Sequence, residues 1–149
     1  MIRPMSPADV NVCIAMGHDM HLESYFKTMD FSPLKLTQLW QMIVAKPDEF
    51  CAFVAEKEDR IIGMFVGVCQ EHWFGYDKLA CDLALYVAPE ERGGTAAIRL
   101  IKAYEQWARD VGASEIHIGT STNINSERVT KLFEKMGFSH KAFYLRKRN

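Results

Sequence analysis

The spacing of apolar residues along the chain predicts four helices. Between Thr95 and Val111, apolar side chains recur every three or four positions and charged side chains mostly cover the opposite face. This pattern is typical of an amphipathic helix packed on a core. Similar spacing predicts three further helices, from Ser6 or Pro7 to about Met20, from Leu34 to Val44, and from Ser126 to Met136.

Shorter apolar runs bounded by turn residues predict the strands. They are Ile2–Pro4, Phe50–Glu56, Ile61–Gln70, Asp82–Val87, Glu115–Ile118 and a final strand or hairpin arm, Phe138–Leu145. The stretch from His21 to Pro33 is interpreted as a loop or a broken helix. The resulting order, β-α-α-β-β-β-α-β-α-β, indicates one mixed α/β domain over residues 1–149, built around one sheet.

Composition places the chain among ordinary globular proteins. It is 48% hydrophobic and 25% charged with a net charge of −1, which favours neither nucleic acid nor a membrane as a partner. The N-terminus lacks the apolar run of a signal peptide, so we expect a cytoplasmic protein. The four cysteines sit in apolar contexts without the spacing of metal ligands. We therefore expect reduced thiols in the core and no metal site.

Candidate chemistry lies between the predicted strand that ends at Leu85-Tyr86-Val87 and the helix that follows it. The connection contains Arg92, Gly93 and Gly94, and then the small residues Thr95, Ala96 and Ala97. The first turn of a helix carries unpaired N–H groups and a partial positive charge, and small residues let an anion approach them. Arg92 could add a guanidinium that forks onto phosphate oxygens. The alternative is a glycine-rich surface loop.

The context of this loop resembles the acyl-CoA-binding motif of the GNAT superfamily of N-acyltransferases. That motif runs from a strand "LYV" through P-E-x-R and a glycine-rich loop into a helix, as in residues 85–97. The hairpin "FVAEKEDRIIG" at 53–63 and the helix end "EKMGF" at 134–138 are similar to two further family features. The specific motifs cover about residues 50–138, and the earlier residues match only in pattern.

The resemblance implies a single-domain acyl-CoA N-acyltransferase fold, with a mixed, mostly antiparallel sheet flanked by helices and splayed at the cofactor site. It implies that the backbone of Leu85, Tyr86 and Val87 pairs with the pantetheine arm of acetyl-CoA. Backbone N–H groups from Arg92 through Gly93, Gly94, Thr95 and Ala96 to Ala97 would hold the pyrophosphate. A main-chain N–H near the end of the strand would polarise the thioester carbonyl. The acetyl group would pass directly from CoA to an amine.

Three positions depart from the family pattern. Thr95 stands where the loop usually has a glycine, so the loop must accommodate a β-branched side chain. Phe133 stands where the family usually has a tyrosine that protonates the leaving thiolate. Ser126 stands where an asparagine usually opens the helix, with Asn125 beside it, and either could contact the cofactor.

A general base matters because an alkyl amine with a pKa near 10.4 is neutral in only about one molecule in 10³ at pH 7. Many family members place a glutamate on the strand before "LYV". The matching position is Cys81, with Asp82 next to it, and strand alternation puts the two on opposite faces unless a bulge intervenes. Asp82 is the first candidate for the catalytic base, and the alternative is a strand-end carboxylate in a salt bridge.

The sequence signals for the amine-binding site are less specific than those for the cofactor site. Tyr25 and Phe26, and Trp73 after the third strand, could line an amine pocket or belong to the core. Glu115 and His117 share a strand face and form a weaker acid–base alternative. A metal site at His18 and His21 is conceivable, but a solvated helix end is favoured. The basic tail Arg146-Lys147-Arg148 is interpreted as a frayed terminus.

We expect an acetyl-CoA-dependent N-acetyltransferase whose partner is an amine of a small molecule or protein. A homodimer would be unsurprising. Two alternatives are a CoA-binding module without catalysis, which serves as a sensor or binds a partner, and an unrelated α/β binding domain. Phe133 and Cys81 favour the first alternative, and the agreement at both "PEERGG" and "EKMGF" argues against the second.

Overall fold

The computed structural model describes residues 1–140 and 142–149 of the chain. It contains five strands in one sheet and four α-helices within these ranges. The strands are β1 (Ile2–Pro4), β2 (Phe50–Lys57), β3 (Arg60–Glu71), β4 (Lys78–Val87) and β5 (Glu115–Ile116). The helices are α1 (Val10–Glu23), α2 (Pro33–Ala45), α3 (Ala96–Asp110) and α4 (Ser126–Lys135), with short 3₁₀ turns at Pro7–Asp9 and Pro89–Glu91.

The sheet is mixed and splays at one side, as the sequence predicts. Its strands lie in chain order, and the first four pair in antiparallel fashion. β5 runs parallel to β4 but pairs with it only at Leu79 and Ala80. Beyond Ala80 the two strands separate, so the second half of β4 keeps one edge open towards a cleft.

A bulge in β4 shifts the direction of its side chains. Ala84 pairs with Val66 and Asp82 pairs with Gly67, which leaves Leu83 as the extra residue. Ala80 and Val87 both belong to the core cluster that contains α3, although they are an odd number of positions apart. Strict alternation would place them on opposite faces, so the bulge is needed for both to face α3.

The sheet has a core on each face. On one face, α3 packs against the sheet, with Leu100, Ile101, Tyr104 and Ala108 fully buried. The ring of Tyr104 stacks on Phe65 at 4.4 Å between centroids. On the other face, Cys13 and Met16 of α1 pack with a smaller cluster of sheet residues, which are Val54, Met64 and Tyr86. The amphipathic pattern of α3 is therefore confirmed as a core-facing stripe.

α2 forms where predicted, but its apolar stripe is not covered by the sheet. The helix contains no buried residue, and all its residues are described. Its apolar positions Leu36, Leu39, Trp40 and Ile43 are only half-buried. They line a cavity that lies between α2 and the sheet.

The predicted last strand is wrong for the described residues of Phe138–Leu145, since none of them has strand structure, and Lys141 lies outside the described residues. β5 is only two residues long and offers few backbone groups to a further strand. Phe143, Tyr144 and Leu145 are more than four-fifths exposed. The tail after them folds back, and the guanidinium of Arg146 lies 3.7 Å from the centroid of the Tyr25 ring.

Candidate functional site

A cleft of about 610 Å³ lies where β4 and β5 separate. It is bordered by the second half of β4, the loop before α3, residues 119–125 and α4. Most of the residues that the sequence assigns to the cofactor line it, namely Leu85, Tyr86, Val87, Arg92, Gly93, Gly94, Ala97, Asn125 and Phe133. Asp82 lines it as well. Thr95, Ala96 and Ser126 lie next to it in the chain and are not among its lining residues.

The loop before α3 presents a row of unpaired backbone donors. The N–H groups from Gly93 to Ala97 have no hydrogen-bond acceptor within residues 1–140 and 142–149. The N–H of Arg92 differs, because it donates to the carbonyl of Pro89 at 3.3 Å. The cradle that the sequence predicts from Arg92 onwards therefore begins at Gly93. Together with the helix dipole, such a row is suited to an anion such as a pyrophosphate.

The conformations of Gly93 and Thr95 leave space for an anion to approach the backbone of this loop. Gly93 has a φ of +95°, which side-chain-bearing residues rarely adopt. Thr95, which departs from the glycine of the family pattern, has an ordinary φ of −95° at the N-cap of α3 and an exposed side chain. Because that side chain is not part of the cleft lining, it does not fill the cradle.

The guanidinium of Arg92 is paired with a carboxylate. Its Nη1 and Nη2 donate to the two carboxylate oxygens of Glu23 at 2.9 Å each, and its Nε donates to the carbonyl of Val87. The hydroxyl of Tyr86 donates to the same carboxylate at 2.8 Å. Hydrogen bonds from Arg92 hold the pKa of Glu23 below its ordinary value. From the sequence we expect the Arg92 guanidinium to bind phosphate oxygens. In the structure it binds the carboxylate of Glu23 instead, and this ion pair connects the end of α1 to the loop before α3.

A different set of basic residues lines the cleft, and the sequence reasoning missed it. Arg128, Lys131 and Lys135 of α4 all line the cleft. None of the three has a carboxylate partner in the part of the chain that the structure describes. A Cβ added to Gly93 would lie 3.1 Å from Nη2 of Arg128, so this guanidinium sits directly beside the cradle. The helical spacing of the three cations was the signal in the sequence.

Asp82 lies at the deep end of the open β4 edge. Its Oδ1 accepts a hydrogen bond from the N–H of Gly119 at 3.0 Å. Burial raises the pKa of Asp82 to about 6, against a smaller lowering by the N–H groups of Gly119 and of Asp82 itself. The alternative that the sequence left open, a salt bridge, is not formed by Asp82 within the described residues. A carboxylate with a pKa near neutrality is suited to general-base catalysis.

A second cavity of about 270 Å³ adjoins the cleft on the α1–α2 side of the sheet. Phe26, one of the predicted acceptor residues, lines it. Tyr25 does not, because its ring is covered by Arg146 and Arg148 of the C-terminal tail. Trp73 lies in the turn between β3 and β4, is 89% exposed and lines neither cavity. Only Phe26 of the three predicted residues is therefore placed at this cavity.

A family model for the acetyltransferase (GNAT) family matches residues 15–138. The chain belongs to the GNAT family of acetyltransferases. Members of this family typically use acetyl-CoA and transfer its acetyl group to an amine. No curated protein matches the sequence at a significant level.

Solved structures share the GNAT fold over the whole chain. A transcriptional regulator from Bacillus halodurans C-125 is 16% identical with a TM-score of 0.80, over 100% of this chain and 99% of the other. AAC(6')-Iy in complex with the bisubstrate analogue CoA-S-monomethyl-acetylneamine is 18% identical with a TM-score of 0.79, over 100% and 98%. Glucosamine-6-phosphate N-acetyltransferase from Arabidopsis thaliana is 15% identical with a TM-score of 0.78, over 99% and 97%. At these identities the likeness shows the fold alone.

Phe133, at the position of the usual GNAT tyrosine, is buried against the cleft and packs near Phe138. Its ring has no hydroxyl to donate to a leaving thiolate. Of the two neighbouring candidates at the start of α4, Asn125 lines the cleft in a left-handed conformation. The hydroxyl of Ser126 instead points to the side chain of Asn123.

The other polar candidates lie away from both cavities. Glu115 and His117 form a 3.0 Å contact, but both are exposed and line neither cavity. The rings of His18 and His21 pack against Phe31. Among residues 1–140 and 142–149 there is no group of three or more His, Cys, Asp or Glu side chains that could hold a metal. Nor does any helix within those ranges have the length and apolar character needed to cross a membrane.

All four cysteines are unpaired thiols, with Cys13, Cys51 and Cys69 buried and Cys81 half-buried. Burial raises the pKa of Cys51 to about 12 and also raises the pKa of Cys81. Cys81, which occupies the position of the glutamate in many GNAT proteins, lines neither cavity. The neighbouring Asp82 is therefore the carboxylate that β4 brings to the cleft.

Proposed function

We propose that this protein is an N-acetyltransferase that transfers the acetyl group of acetyl-CoA to a primary amine by direct attack. The observation that carries the proposal is the row of unpaired N–H groups from Gly93 to Ala97 beside the open edge of β4. One end of the cleft offers donors to a pyrophosphate and the other holds the carboxylate of Asp82. A molecule that reaches from one end to the other would need a long flexible arm, as CoA has.

The residues fit CoA in three ways. The cradle from Gly93 to Ala97 would accept the pyrophosphate, and Arg128 would add a charge-assisted contact. The backbone edge at Leu85, Tyr86 and Val87, where the Val87 carbonyl already accepts from Nε of Arg92, would pair through its remaining free groups with the amides of the pantetheine arm. Asn125 and Phe133 would border the arm from the side of α4.

The thioester, when bound, supplies an acetyl group on a sulfur leaving group. In the proposed reaction the amine nitrogen forms a bond to the acetyl carbon while the carbon–sulfur bond breaks, and the proton that the acylated nitrogen then loses passes to the released CoA thiolate, directly or through solvent. Asp82, directly or through a water, accepts the proton that the ammonium form of the acceptor must lose. Its raised pKa suits this role, because a base works best when its pKa lies near the working pH.

Loss of the usual tyrosine does not prevent this reaction. A thiol has a pKa of roughly 8.5, so its thiolate can leave near neutral pH without full protonation. General-acid assistance is worth about 10²–10⁴-fold in rate. We therefore expect Phe133 to make the enzyme slower than relatives that carry tyrosine, without changing the mechanism.

A second candidate function is an acyl-CoA-binding module without catalysis, which serves as a sensor or binds a partner. Phe133 is the observation that favours it, because it removes a catalytic hydroxyl and leaves the cradle intact. The two functions share the binding site and differ only in turnover.

Calorimetric titration with acetyl-CoA tests the proposal, followed by detection of released CoA with a thiol reagent across a panel of amines. Saturable binding at one site with amine-dependent CoA release is the expected result. Binding without release from any amine would support the binding module. Absence of binding would overturn both functions.

A further inference from the structure

The second cavity is almost entirely apolar. Its walls come from α1, α2, the loop after α1 and the β3–β4 part of the sheet. Leu36, Leu39, Trp40 and Ile43 of α2 form one wall, and Met64 and Val66 of β3 lie opposite. Among the described residues that line it there is no Asp, Glu, Lys or Arg side chain.

Two polar side chains in its lining are hydrogen-bonded to other protein atoms, whereas the buried Nδ1 of His21 has no hydrogen-bond partner within the described residues. The Ser24 hydroxyl donates to the carbonyl of His21 and accepts from the N–H of Phe26. Nε2 of His21 donates to the carbonyl of Met29 at 2.9 Å. The Cys13 thiol stays uncharged at neutral pH, because burial raises its pKa to about 11. A ligand in the cavity therefore meets mostly apolar surface, one unpaired ring nitrogen at His21 and no carboxylate that could pair with a cation.

The cavity opens onto the cleft at the place where acetyl transfer would occur. Met20, Leu83, Ala84 and Thr122 line both spaces. Leu83 is the bulged residue of β4 and directly follows Asp82 in the chain. A molecule seated in the cavity can present one end to the cleft, which Asp82 also lines.

The half-buried apolar stripe of α2 favours the binding of an apolar group in the cavity. An amphipathic helix normally buries its apolar stripe in the core, whereas that of α2 remains half-buried along the cavity wall. Covering apolar surface on binding is favourable because it removes that surface from water. A second ammonium group in the same space would be desolvated without a partner and would oppose binding.

We propose that this cavity is the acceptor site and that it selects a monoamine with an apolar body, such as a short alkyl or arylalkyl chain, over polycationic amines. The inference rests on the proposed function, which it deepens by naming the substrate class. The amine nitrogen projects past Leu83 towards Asp82, and the apolar body lies between α2 and β3. A volume of about 270 Å³ fits a chain of this size.

Gly17 of α1 provides a way to narrow the cavity. A Cβ at this position would lie 3.8 Å from both Leu36 Cδ1 and Met64 Cε, which is ordinary van der Waals contact. Gly17→Ala therefore fits the fold, and alanine also favours the helix. Gly75→Ala is the matched control, because a Cβ at Gly75 meets nothing within 4 Å and Gly75 lines neither cavity.

The experiment compares 2-phenylethylamine, methylamine and spermidine as acceptors, and measures acetyl-CoA binding separately by calorimetry. We expect kcat/KM for 2-phenylethylamine to exceed that for spermidine by at least about tenfold. Gly17→Ala should lower kcat/KM for 2-phenylethylamine by about tenfold, since one methyl group in a pocket has an effect of this order. The same variant should leave methylamine turnover and acetyl-CoA affinity unchanged, and Gly75→Ala should change none of these values.

Direct binding separates this inference from the proposed function. Calorimetry with 2-phenylethylamine, with and without CoA, should give saturable binding that Gly17→Ala weakens, even in a protein that releases no CoA. Failure to bind acetyl-CoA would overturn the proposed function alone. Equal or better use of spermidine, or 2-phenylethylamine binding that is absent or insensitive to Gly17→Ala, would overturn the assignment of the cavity.

Discussion

Arg92 and Glu23 form a two-pronged ion pair between the loop before α3 and the end of α1. Each terminal nitrogen of the guanidinium lies 2.9 Å from a different oxygen of the carboxylate. Both side chains are partly shielded, with 25% and 33% of their surface exposed. The pair is 69 positions apart in sequence, so it fixes the loop from outside its own segment.

Glu23→Gln should therefore destabilise the protein. A shielded two-pronged pair is worth about 1 kcal/mol, which corresponds to a Tm lower by about 2–4 °C in a chain of this size. The pKa of Glu23 is lowered in the fold, so the pair stabilises the protein above the ordinary glutamate pKa. This stabilisation is lost as the pH falls through the lower folded-state pKa. Thermal unfolding at pH 7 and at pH 3 measures both effects.

Glu49→Gln is the matched control for this variant. Glu49 pairs with Lys46 at 3.3 Å, and both side chains are about half exposed. Exposed pairs of this kind contribute little, so its Tm should change by less than half as much. Equal shifts in the two variants, or a Glu23→Gln shift that persists unchanged at pH 3, would contradict the structural role of the Arg92–Glu23 pair.

Gly94→Glu should block the cradle. Gly94 has no positive φ, and a Cβ there would make only ordinary contact with the carbonyl of Glu91 at 3.5 Å, so the fold tolerates a side chain. The added carboxylate would lie beside the unpaired N–H groups and repel phosphate. We expect acetyl-CoA affinity to fall by more than about tenfold in calorimetry. Gly75→Glu adds the same charge in open space and should bind as the wild type does; equal affinities in all three proteins would refute the cradle.

The sequence predicted α3 and the glycine turn before it because both depend on local information, and the anion-binding role of that turn stays a prediction. Gly93 and Gly94 mark a turn, and the period of 3.6 residues marks the helix. The partner of Arg92 could not be predicted in this way, since Glu23 reaches it only through the packing of α1 on the sheet. The bulge at Leu83 was conceivable from strand alternation, but its position required the pairing of β3 with β4.

Helix α2 and the C-terminal residues after Phe138 show a second limit of prediction from sequence, since an apolar pattern does not identify what packs against it. The pattern of Leu36, Leu39, Trp40 and Ile43 predicts an apolar face and does not tell whether protein or a cavity lies against it. Apolar residues at Phe143, Tyr144 and Leu145 suggested a strand, but a strand also needs a neighbour with free backbone groups. β5 is too short to provide one, so local propensity did not decide the outcome.

Arg128→Ala should weaken the binding of CoA through its phosphates. The guanidinium lies beside Gly93, and its loss removes a charge-assisted contact worth about 1.5–3 kcal/mol, or roughly tenfold or more in Kd. Pantetheine, which has no phosphate, should bind equally to variant and wild type in calorimetry. Arg99→Ala is the control, since Arg99 is on the exposed face of α3 and does not line the cleft. A parallel loss of pantetheine affinity would indicate a structural role for Arg128 instead.

Asp82→Asn should have opposite effects on stability and on transfer. In the fold, burial raises the pKa of Asp82 to about 6, above the value of 3.8 expected in the unfolded chain. Folding therefore favours the protonated carboxyl: its contribution to stability is complete below about pH 3.8 and is lost as the pH rises from there through about 6. Asparagine can still accept the hydrogen bond from Gly119 and carries no charge. We expect the variant to exceed the wild type by about 1–2 kcal/mol at pH 8 and to match it near pH 3.

Transfer by the same variant should be slower because the proton acceptor is missing. In the wild type, kcat/KM should rise with pH through about 6 as Asp82 ionises, and Asp82→Asn should lose this step. The rate at pH 7.5 should fall by about 10²–10⁴-fold, with acetyl-CoA affinity nearly unchanged. The deficit should shrink near pH 10, where a much larger fraction of the acceptor amine is neutral than at pH 7.5. A variant that is stabilised at pH 8 but keeps the wild-type pH–rate profile would leave Asp82 buried beside the cleft and remove it from the mechanism.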